Sequence, residues 1–234
     1  MSIANIAVPE DLKYKVLVWG GPSTGKTKFS LSAPGPLAID LENSTSRYSK
    51  DFKFYKATID IANKNINNAC SLTLAIINEI ANGTYENKVK TLIIDPISDL
   101  MDNLESIICE SFQKQLGRNI ESLNQLQKAK WYAYKKKKTR SLLDKIISLD
   151  VNIIFIAREK LVWGKTSEGM QPIGQTYDCP ELLEYLVEVV INTRKDLKML
   201  VTKSRVDTIK QGELEGYKWD DIFKDKELKL VKTS

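Results

Sequence analysis

An eight-residue segment near the start of the chain constrains the fold more than any other feature. Residues 20–27 read Gly-Gly-Pro-Ser-Thr-Gly-Lys-Thr and satisfy the pattern G-x-x-x-x-G-K-[S/T]. The apolar run Tyr14–Trp19 precedes this segment, and a short helical pattern, Lys26–Ser32, follows it. The pattern is specific only between a strand and a helix, and that order is met here. The segment therefore predicts a phosphate-binding loop in an α/β fold.

The chemistry of this loop suits a nucleoside triphosphate. Its glycines let the backbone curl, so that successive N–H groups converge on phosphate oxygens at the start of a helix. Lys26 is expected to reach the β- and γ-phosphates, and Thr27 to ligate Mg²⁺. We therefore predict ATP and Mg²⁺ as cofactors. The residues predicted to bind the nucleotide are Gly20, Gly21, Pro22, Ser23, Thr24, Gly25, Lys26 and Thr27.

Further apolar runs rich in β-branched residues indicate the rest of a sheet. They are apolar on both faces, which is typical of parallel strands covered by helices. Helical patterns lie between them at Ile66–Ile80, Leu100–Phe112 and about Ser122–Leu149. The alternation predicts an α/β fold with a mostly parallel sheet flanked by helices. The runs are Leu37–Leu41, Val89–Asp95, Val151–Ala157, Tyr185–Thr193 and Lys198–Thr202.

Composition excludes several function classes. The 234 residues include no histidine, which removes Ser/His triads and His-ligated metal centres. Three widely spaced cysteines argue against a disulfide framework. The longest apolar runs are far shorter than a membrane span, and the first ten residues, MSIANIAVPE, show no secretory signal. We expect a cytoplasmic protein with no membrane partner. Its net charge of +5 is too small to demonstrate a polyanionic partner.

A second acid is needed for the metal, and Asp95 is the candidate. The apolar run Thr91–Ile94 ends in this aspartate, which is the Walker B arrangement. The alternative is that Asp95 caps the helix that begins after Pro96, where Ser98 or Asp99 would serve equally well.

Pro96 also excludes a water-activating glutamate directly after Asp95, so that role passes to Glu42. Glu42 follows the run Leu37–Leu41, and the carboxyl ends of parallel strands share one edge of a sheet. Glu42 is therefore predicted to polarise the attacking water, whereas Asp40 is interpreted as structural. The alternative for Glu42 is an exposed acid in a polar loop.

From these residues onward the chain resembles the RecA-type P-loop ATPases. "LAIDLE" is similar to the strand whose terminal glutamate activates water in that family, and "TLIIDPISDL" to its Walker B strand. "VNIIFIARE" resembles the next strand, which ends in a residue that senses the γ-phosphate; Arg158 occupies that place. The alternative for Arg158 is a surface base paired with Glu159 or another acid.

The segment "KMLVTKSRVDTIKQGEL" extends the resemblance. In the family, two cations of this segment reach the neighbouring subunit's nucleotide, and Lys203 and Arg205 match them. The set is most similar to short phage-encoded RecA-core ATPases of the Sak group. The resemblance implies one RecA-like domain over residues 1–234, with a core of about 12–212 and a C-terminal extension of about 213–234. It also implies a homo-oligomer, as a ring or a filament, in the bacterial host's cytoplasm if the chain is phage-encoded.

DNA binding is the remaining implication of the resemblance. Residues 159–180 are predicted to form a long loop, and Trp163 and Lys165 within it are candidates to stack on bases and neutralise phosphates of single-stranded DNA. The alternative is an insertion whose tryptophan packs on the core. The basic run Lys135–Arg140 is interpreted as a solvated helix surface, with phosphate binding as the alternative.

The predicted function is therefore a Mg²⁺-dependent ATPase that acts on single-stranded DNA in recombination or annealing, with single-strand-binding or other recombination proteins as further partners. Two alternatives share the phosphate loop: an ATP-binding scaffold without turnover, and a small-molecule kinase. A GTPase is disfavoured because Thr202-Lys203-Ser204-Arg205 lacks the final acid of a guanine-reading motif.

Overall fold

The computed structural model describes residues 13–60, 62, 65–86, 88–117, 122–167, 169–195, 198–214 and 217–223. The prediction about the first ten residues lies outside this part of the chain, as do residues 215–216 and 224–234 of the predicted C-terminal extension. Among the described helices, none combines the length and apolar character needed to cross a membrane.

A single mostly parallel sheet organises the described residues. Its nine strands run in the order β3-β2-β4-β5-β1-β7-β8-β9, with β6 paired only to β5. Strands β1 to β5 and β7 are joined by parallel pairs, whereas β6, β8 and β9 are antiparallel additions. The strands are β1 Lys15–Gly20, β2 Pro36–Asp40, β3 Tyr55–Ala57, β4 Thr91–Asp95, β5 Asn152–Thr166, β6 Gly169–Tyr177, β7 Val189–Thr193, β8 Met199–Ser204 and β9 Gly212–Leu214.

Helices cover both faces of this sheet. Leu17 and Phe155 face a core formed with α2, α3 and α4. Their neighbours Val18 and Ile154 face the opposite core, which contains Phe29 of α1. Both faces of the central strands are buried, which explains why their apolar runs do not alternate. The predicted α/β fold class is confirmed. The helices are α1 Lys26–Leu31, α2 Ala69–Ala81, α3 Ile97–Leu116, α4 Gln125–Ile147, α5 Glu181–Leu186 and α6 Trp219–Phe223.

The predicted long loop at residues 159–180 is wrong, because most of it forms a β-hairpin. Strand β5 leaves the core at Arg158 and continues to Thr166, and β6 returns from Gly169 to Tyr177. Pro172 is tolerated because β6 is an edge strand and the ladder has an irregularity between Val162 and Trp163. Both faces of the hairpin are largely exposed, so its sequence lacks the alternation that predicts a strand.

Smaller corrections concern the ends of elements. The predicted strand Tyr185–Thr193 begins only at Val189, because α5 extends to Leu186. Acidic residues in the first turn of α5, Glu181 and Glu184, favour a helix there. In the predicted C-terminal extension, Trp219 of α6 stacks on Phe223 and is buried against Phe29.

Candidate nucleotide-binding site

The loop of residues 20–27 joins the end of β1 to α1 at the middle of the sheet, between β5 and β7. Gly20 has a φ of 153°, and a Cβ at this position would lie 2.2 Å from the carbonyl oxygen of Thr193. Thr24 Oγ1 lies 2.7 Å from Thr193 Oγ1 and donates to the Gly21 carbonyl at 2.9 Å. Glycine is therefore required at residue 20, and β7 supports the loop from one side.

Lys26 is held inside this loop. Its Nζ donates to the carbonyl oxygens of Gly20 at 2.8 Å and Gly21 at 2.6 Å. Burial lowers the pKa of Lys26, and the charges of Asp95 and Glu42 partly oppose that effect. The Lys26 ammonium thus lies within the loop and near carboxylates. An anionic ligand bound there would offset the free-energy cost of burying its positive charge.

Thr27 and Asp95 meet between α1 and β4. Thr27 Oγ1 donates to Asp95 Oδ2 at 2.8 Å, and Asp95 is only 4% exposed. Burial raises the pKa of Asp95 to about 6, and the charges of Glu42 and Asp40 add to the rise. Helix α3 begins at Ile97, and its N-cap is Pro96, with no side-chain cap hydrogen bond, so the capping alternative for Asp95 is not observed.

The Thr27 hydroxyl and the Asp95 carboxylate fit a magnesium ion. Both are hard oxygen donors, which Mg²⁺ prefers, and it usually takes only one or two ligands from the protein and others from phosphates and water. Among the described residues there is no group of three or more acidic, cysteine or histidine side chains that could hold a metal ion.

Glu42 and Arg158 form an ion pair at the same edge of the sheet. Arg158 Nη2 lies 2.5 Å and Nε 3.1 Å from Glu42 Oε1, and Asp99 Oδ1 lies 2.7 Å from Arg158 Nη1. Ser98 Oγ completes the cluster at 3.4 Å from Nη1. The edge is shared because Asp40 pairs with Asp95 and Gly20 with Arg158 in the sheet register.

The bonds of Arg158 fit the alternative interpretation, in which it pairs with an acid, and its role in sensing the γ-phosphate stays a prediction. Arg158 does pair with acids, but these are Glu42 and Asp99 rather than the neighbouring Glu159. Burial lowers the pKa of Arg158, but its bonds to Glu42 and Asp99 outweigh burial and raise it overall. Neither Glu42 nor Asp99 was predicted as its partner, because both residues are distant from Arg158 in the sequence.

Glu159 lies beside the loop, whereas it was expected from the sequence only as a possible partner of Arg158. A Cβ on Gly21 would lie 3.8 Å from Glu159 Oε2, so this carboxylate is next to the loop. Gln175 of β6 donates to Glu159 Oε1 at 2.9 Å. The signal was available, since Glu159 directly follows Arg158 at the end of the buried part of β5.

Lys203 and Arg205 lie at the opposite end of the sheet from the loop. In the register, Thr193 pairs with Met199, whereas Val189 pairs with Ser204. Val189 lies next to the start of β1, and the loop follows the end of β1. Lys203 Nζ donates to the carbonyl oxygen of Glu184, in the last turn of α5, and at 2.9 Å to that of Val187, the residue directly after α5. Within one chain, therefore, these cations are not brought to the loop.

Trp163 and Lys165 lie on the hairpin and are also separate from the loop. Trp163 pairs with Pro172, and Lys165 with Met170, next to the turn of the hairpin. Trp163 is 57% exposed, so the alternative that it packs on the core is not observed.

The basic run Lys135–Arg140 lies on α4. Lys135 pairs with Glu105 at 2.5 Å, and Arg140 pairs with Asp144 at 2.6 Å. The run therefore has acidic partners at both of its ends, consistent with a solvated helix surface.

Comparison with known proteins identifies the family. The family described as AAA domain matches residues 12–214. No curated protein sequence matches the chain. Among solved structures, a KaiC-like protein from the hyperthermophilic archaeon Pyrococcus horikoshii OT3 is similar, with 16% sequence identity and a TM-score of 0.44 over 86% of this chain and 84% of that chain.

Proposed function

The chain belongs to the AAA domain family, and from this premise we propose that it binds ATP with Mg²⁺ at residues 20–27 and hydrolyses it. The observation that carries the proposal is the hydrogen bond of 2.8 Å from Thr27 to Asp95. Thr27 directly follows Lys26 in the chain, and Asp95 lies at the edge of the sheet that also carries Glu42. This is the set of groups that a phosphate loop needs for the metal and for an attacking water.

Each residue has a distinct role in this proposal. Backbone N–H groups of the loop and Lys26 bind the phosphates, and Lys26 offsets the charge that develops during phosphoryl transfer. Thr27 and Asp95 would hold Mg²⁺, which would neutralise phosphate charge when bound. Glu42 accepts a proton from the attacking water, and Arg158 is proposed to contact the γ-phosphate or to orient Glu42.

Lys203 and Arg205 are proposed to act on the nucleotide of a neighbouring copy. The register supports this, because both cations lie at the sheet end away from their own loop. A head-to-tail homo-oligomer, ring or filament, would bring one copy's Lys203 to the next copy's Glu42. Other P-loop enzymes place an arginine finger in trans in the same manner.

The finer proposal is that turnover serves single-stranded DNA in recombination or annealing, in the cytoplasm and with recombination proteins as partners. What supports it is the exposure of Trp163 on a hairpin that continues directly from Arg158. An exposed indole with a nearby lysine is a sequence-tolerant way to hold a single strand.

One observation favours a second candidate, an ATP-dependent scaffold with little turnover. Glu42 Oε1 already accepts from Arg158 Nη2 at 2.5 Å and Nε at 3.1 Å, so this oxygen is occupied rather than open to an attacking water.

Phosphate release, measured with and without single-stranded DNA, tests these functions together. Wild-type protein should release phosphate, Lys26→Ala should lose nucleotide binding, and Glu42→Gln should keep binding while turnover falls. Lys28→Ala, on the same helix, is the matched control and should behave as wild type. ATP binding without release would support the scaffold. Release that DNA does not change would contradict the DNA proposal, and phosphate transfer to a small molecule instead of water would indicate a kinase.

A further inference from the structure

Glu42 lies in a short turn that leaves β2 at the edge of the sheet. The N–H of Leu41 donates to the Asp95 carbonyl at 2.8 Å, which fixes the first residue of the turn to β4. Asn43 then takes a φ of 54°, in the left-handed region, so the chain reverses directly after Glu42. Glu42 and Asn43 are both exposed. The position of Glu42 therefore depends on what holds the far side of this turn.

The carboxylate of Asp40 holds that far side. Asp40 Oδ1 accepts from the N–H of Ser44 at 3.0 Å, and Oδ2 accepts from the N–H and Oγ1 of Thr45 at 2.8 and 2.7 Å. Burial alone would raise the pKa of Asp40, but the hydrogen bonds from Thr45, Ser44 and Lys56 outweigh it and keep the pKa below its usual value. Asp40 is thus a buried anion around which residues 41–45 fold.

Lys56 joins this anion to the turn from the edge strand β3. Its Nζ lies 3.2 Å from Asp40 Oδ2 and donates to Asn43 Oδ1 at 2.6 Å and Ser46 Oγ at 2.7 Å. The Lys56 side chain is 22% exposed and that of Asp40 is fully buried, so solvent screens this pair less than a surface ion pair. The Lys56 ammonium therefore contacts the Asp40 carboxylate, Asn43 at the chain reversal, and Ser46 in the helical turn that follows.

We propose that Asp40 and Lys56 are positioning residues for Glu42, which keep residues 41–45 in the one conformation that holds the Glu42 carboxylate beside Asp95 and Arg158. Displacing a reacting group by even about 1 Å can lower a rate by as much as 100-fold, so an ordered turn has kinetic value. The kinetic part rests on the proposed role of Glu42 in hydrolysis. The ordering of the turn does not depend on that role.

Hydrogen exchange tests the ordering without any nucleotide. In Lys56→Met, the Ser44 and Thr45 amides should exchange at least about tenfold faster than in wild type, because their acceptor loses its counter-charge and Asn43 loses its partner. Lys56→Arg should retain slow exchange. Lys53→Met, which removes the same charge from an exposed side chain on the same segment, is the matched control and should not change these amides. Unchanged exchange in Lys56→Met would overturn the proposal.

Steady-state kinetics test the effect on Glu42. Lys56→Met should lower kcat about tenfold with KM for ATP unchanged, and Lys56→Arg should restore most of the rate. In a Glu42→Gln background, Lys56→Met should lower the residual rate no further, because its effect passes through Glu42. An equal further loss would overturn the positioning role, as would a wild-type rate in Lys56→Met. Thermal unfolding of each variant separates these results from loss of folded protein, and Asp40→Asn provides a second perturbation of the same turn.

The role of Glu42 in hydrolysis and the positioning role of Lys56 are contradicted by different results. If Glu42→Gln turns over ATP like wild type, the proposed role of Glu42 is wrong, whereas the exchange result still reports on the turn. If Glu42→Gln is inactive and Lys56→Met is fully active, the positioning role alone is wrong.

Discussion

Arg158 Nη2 lies 2.5 Å from Glu42 Oε1, although the two residues are 116 positions apart in the chain and β4 lies between their strands. Asp99 contacts the same guanidinium from the start of α3. Arg158, at the end of the buried part of β5, thus holds Glu42, which lies just after β2. Asp99 of α3 in turn holds Arg158.

This pair leads to a prediction for Arg158→Gln. The turnover number should fall about tenfold while ATP affinity is retained, because Glu42 loses the group that orients it. Arg140→Gln is the matched control, since Arg140 forms an exposed ion pair with Asp144 at 2.6 Å and lies on α4. Steady-state kinetics and nucleotide titration measure both effects. A higher turnover number in Arg158→Gln would instead assign Arg158 an inhibitory role.

Trp163→Ala tests the hairpin as a DNA-binding element. Loss of one stacked base should weaken single-strand binding by about 1 to 3 kcal/mol, measured by fluorescence anisotropy at constant salt. Met170→Ala is the control, because Met170 is 65% exposed on the partner strand but offers no ring for stacking. Unchanged affinity in Trp163→Ala, or an equal loss in both variants, would contradict base stacking.

Mixing two inactive variants tests whether Lys203 acts in trans. Lys203→Ala keeps Glu42, and Glu42→Ala keeps Lys203, so about a quarter of random head-to-tail interfaces in the mixture would be intact. ATPase activity should therefore recover in part. The double variant Glu42→Ala/Lys203→Ala is the control partner and should give no recovery.

Two further measurements make the mixing result decisive. Lys203 Nζ also binds the carbonyl oxygens that end α5, so thermal unfolding must show that Lys203→Ala is folded. A fluorescent label must show that mixed oligomers form. Mixed, folded oligomers without recovered activity would contradict the trans role.

Cysteine alkylation tests the packing around α2, α3 and α5. Burial raises the pKa of Cys70 to about 11, and burial with the nearby charge of Asp178 raises that of Cys179 to about 12. The pKa of Cys109 is raised too, by burial and by Glu105, but Cys109 is only partly buried. Since the thiolate is the reactive form, a pKa of 11 leaves about one part in a thousand reactive at pH 8.

Iodoacetamide at pH 8, followed by peptide mass spectrometry, should therefore modify Cys109 before Cys70 and Cys179. In urea the three should react alike, because unfolding returns each thiol to an ordinary pKa. Fast modification of Cys179 in the folded protein would contradict the raised pKa that burial beside α5 gives this thiol.

Much of the candidate site was predictable because its signals are local. Strands β1, β2, β4 and β5 were recognised from short apolar runs, and the loop between Gly20 and Thr27 from glycines that permit its conformation. Asp95 followed from an apolar strand that ends in an aspartate, and Glu42 from the rule that the carboxyl ends of parallel strands share an edge. The register that pairs Asp40 with Asp95 shows this shared edge.

The sequence by itself therefore determined the fold class and the residues that line the loop, since strand period, glycine conformation and strand ends are properties of short segments. Only the tertiary structure decided that residues 159–180 form a hairpin, that Asp99 supports Arg158, and that Lys203 lies at the far end of the sheet from its own loop. Each of these depends on which distant segment supplies a hydrogen bond or a charge. The packing of the whole chain determines which distant segments come into contact, so these contacts cannot be predicted from a short stretch of sequence.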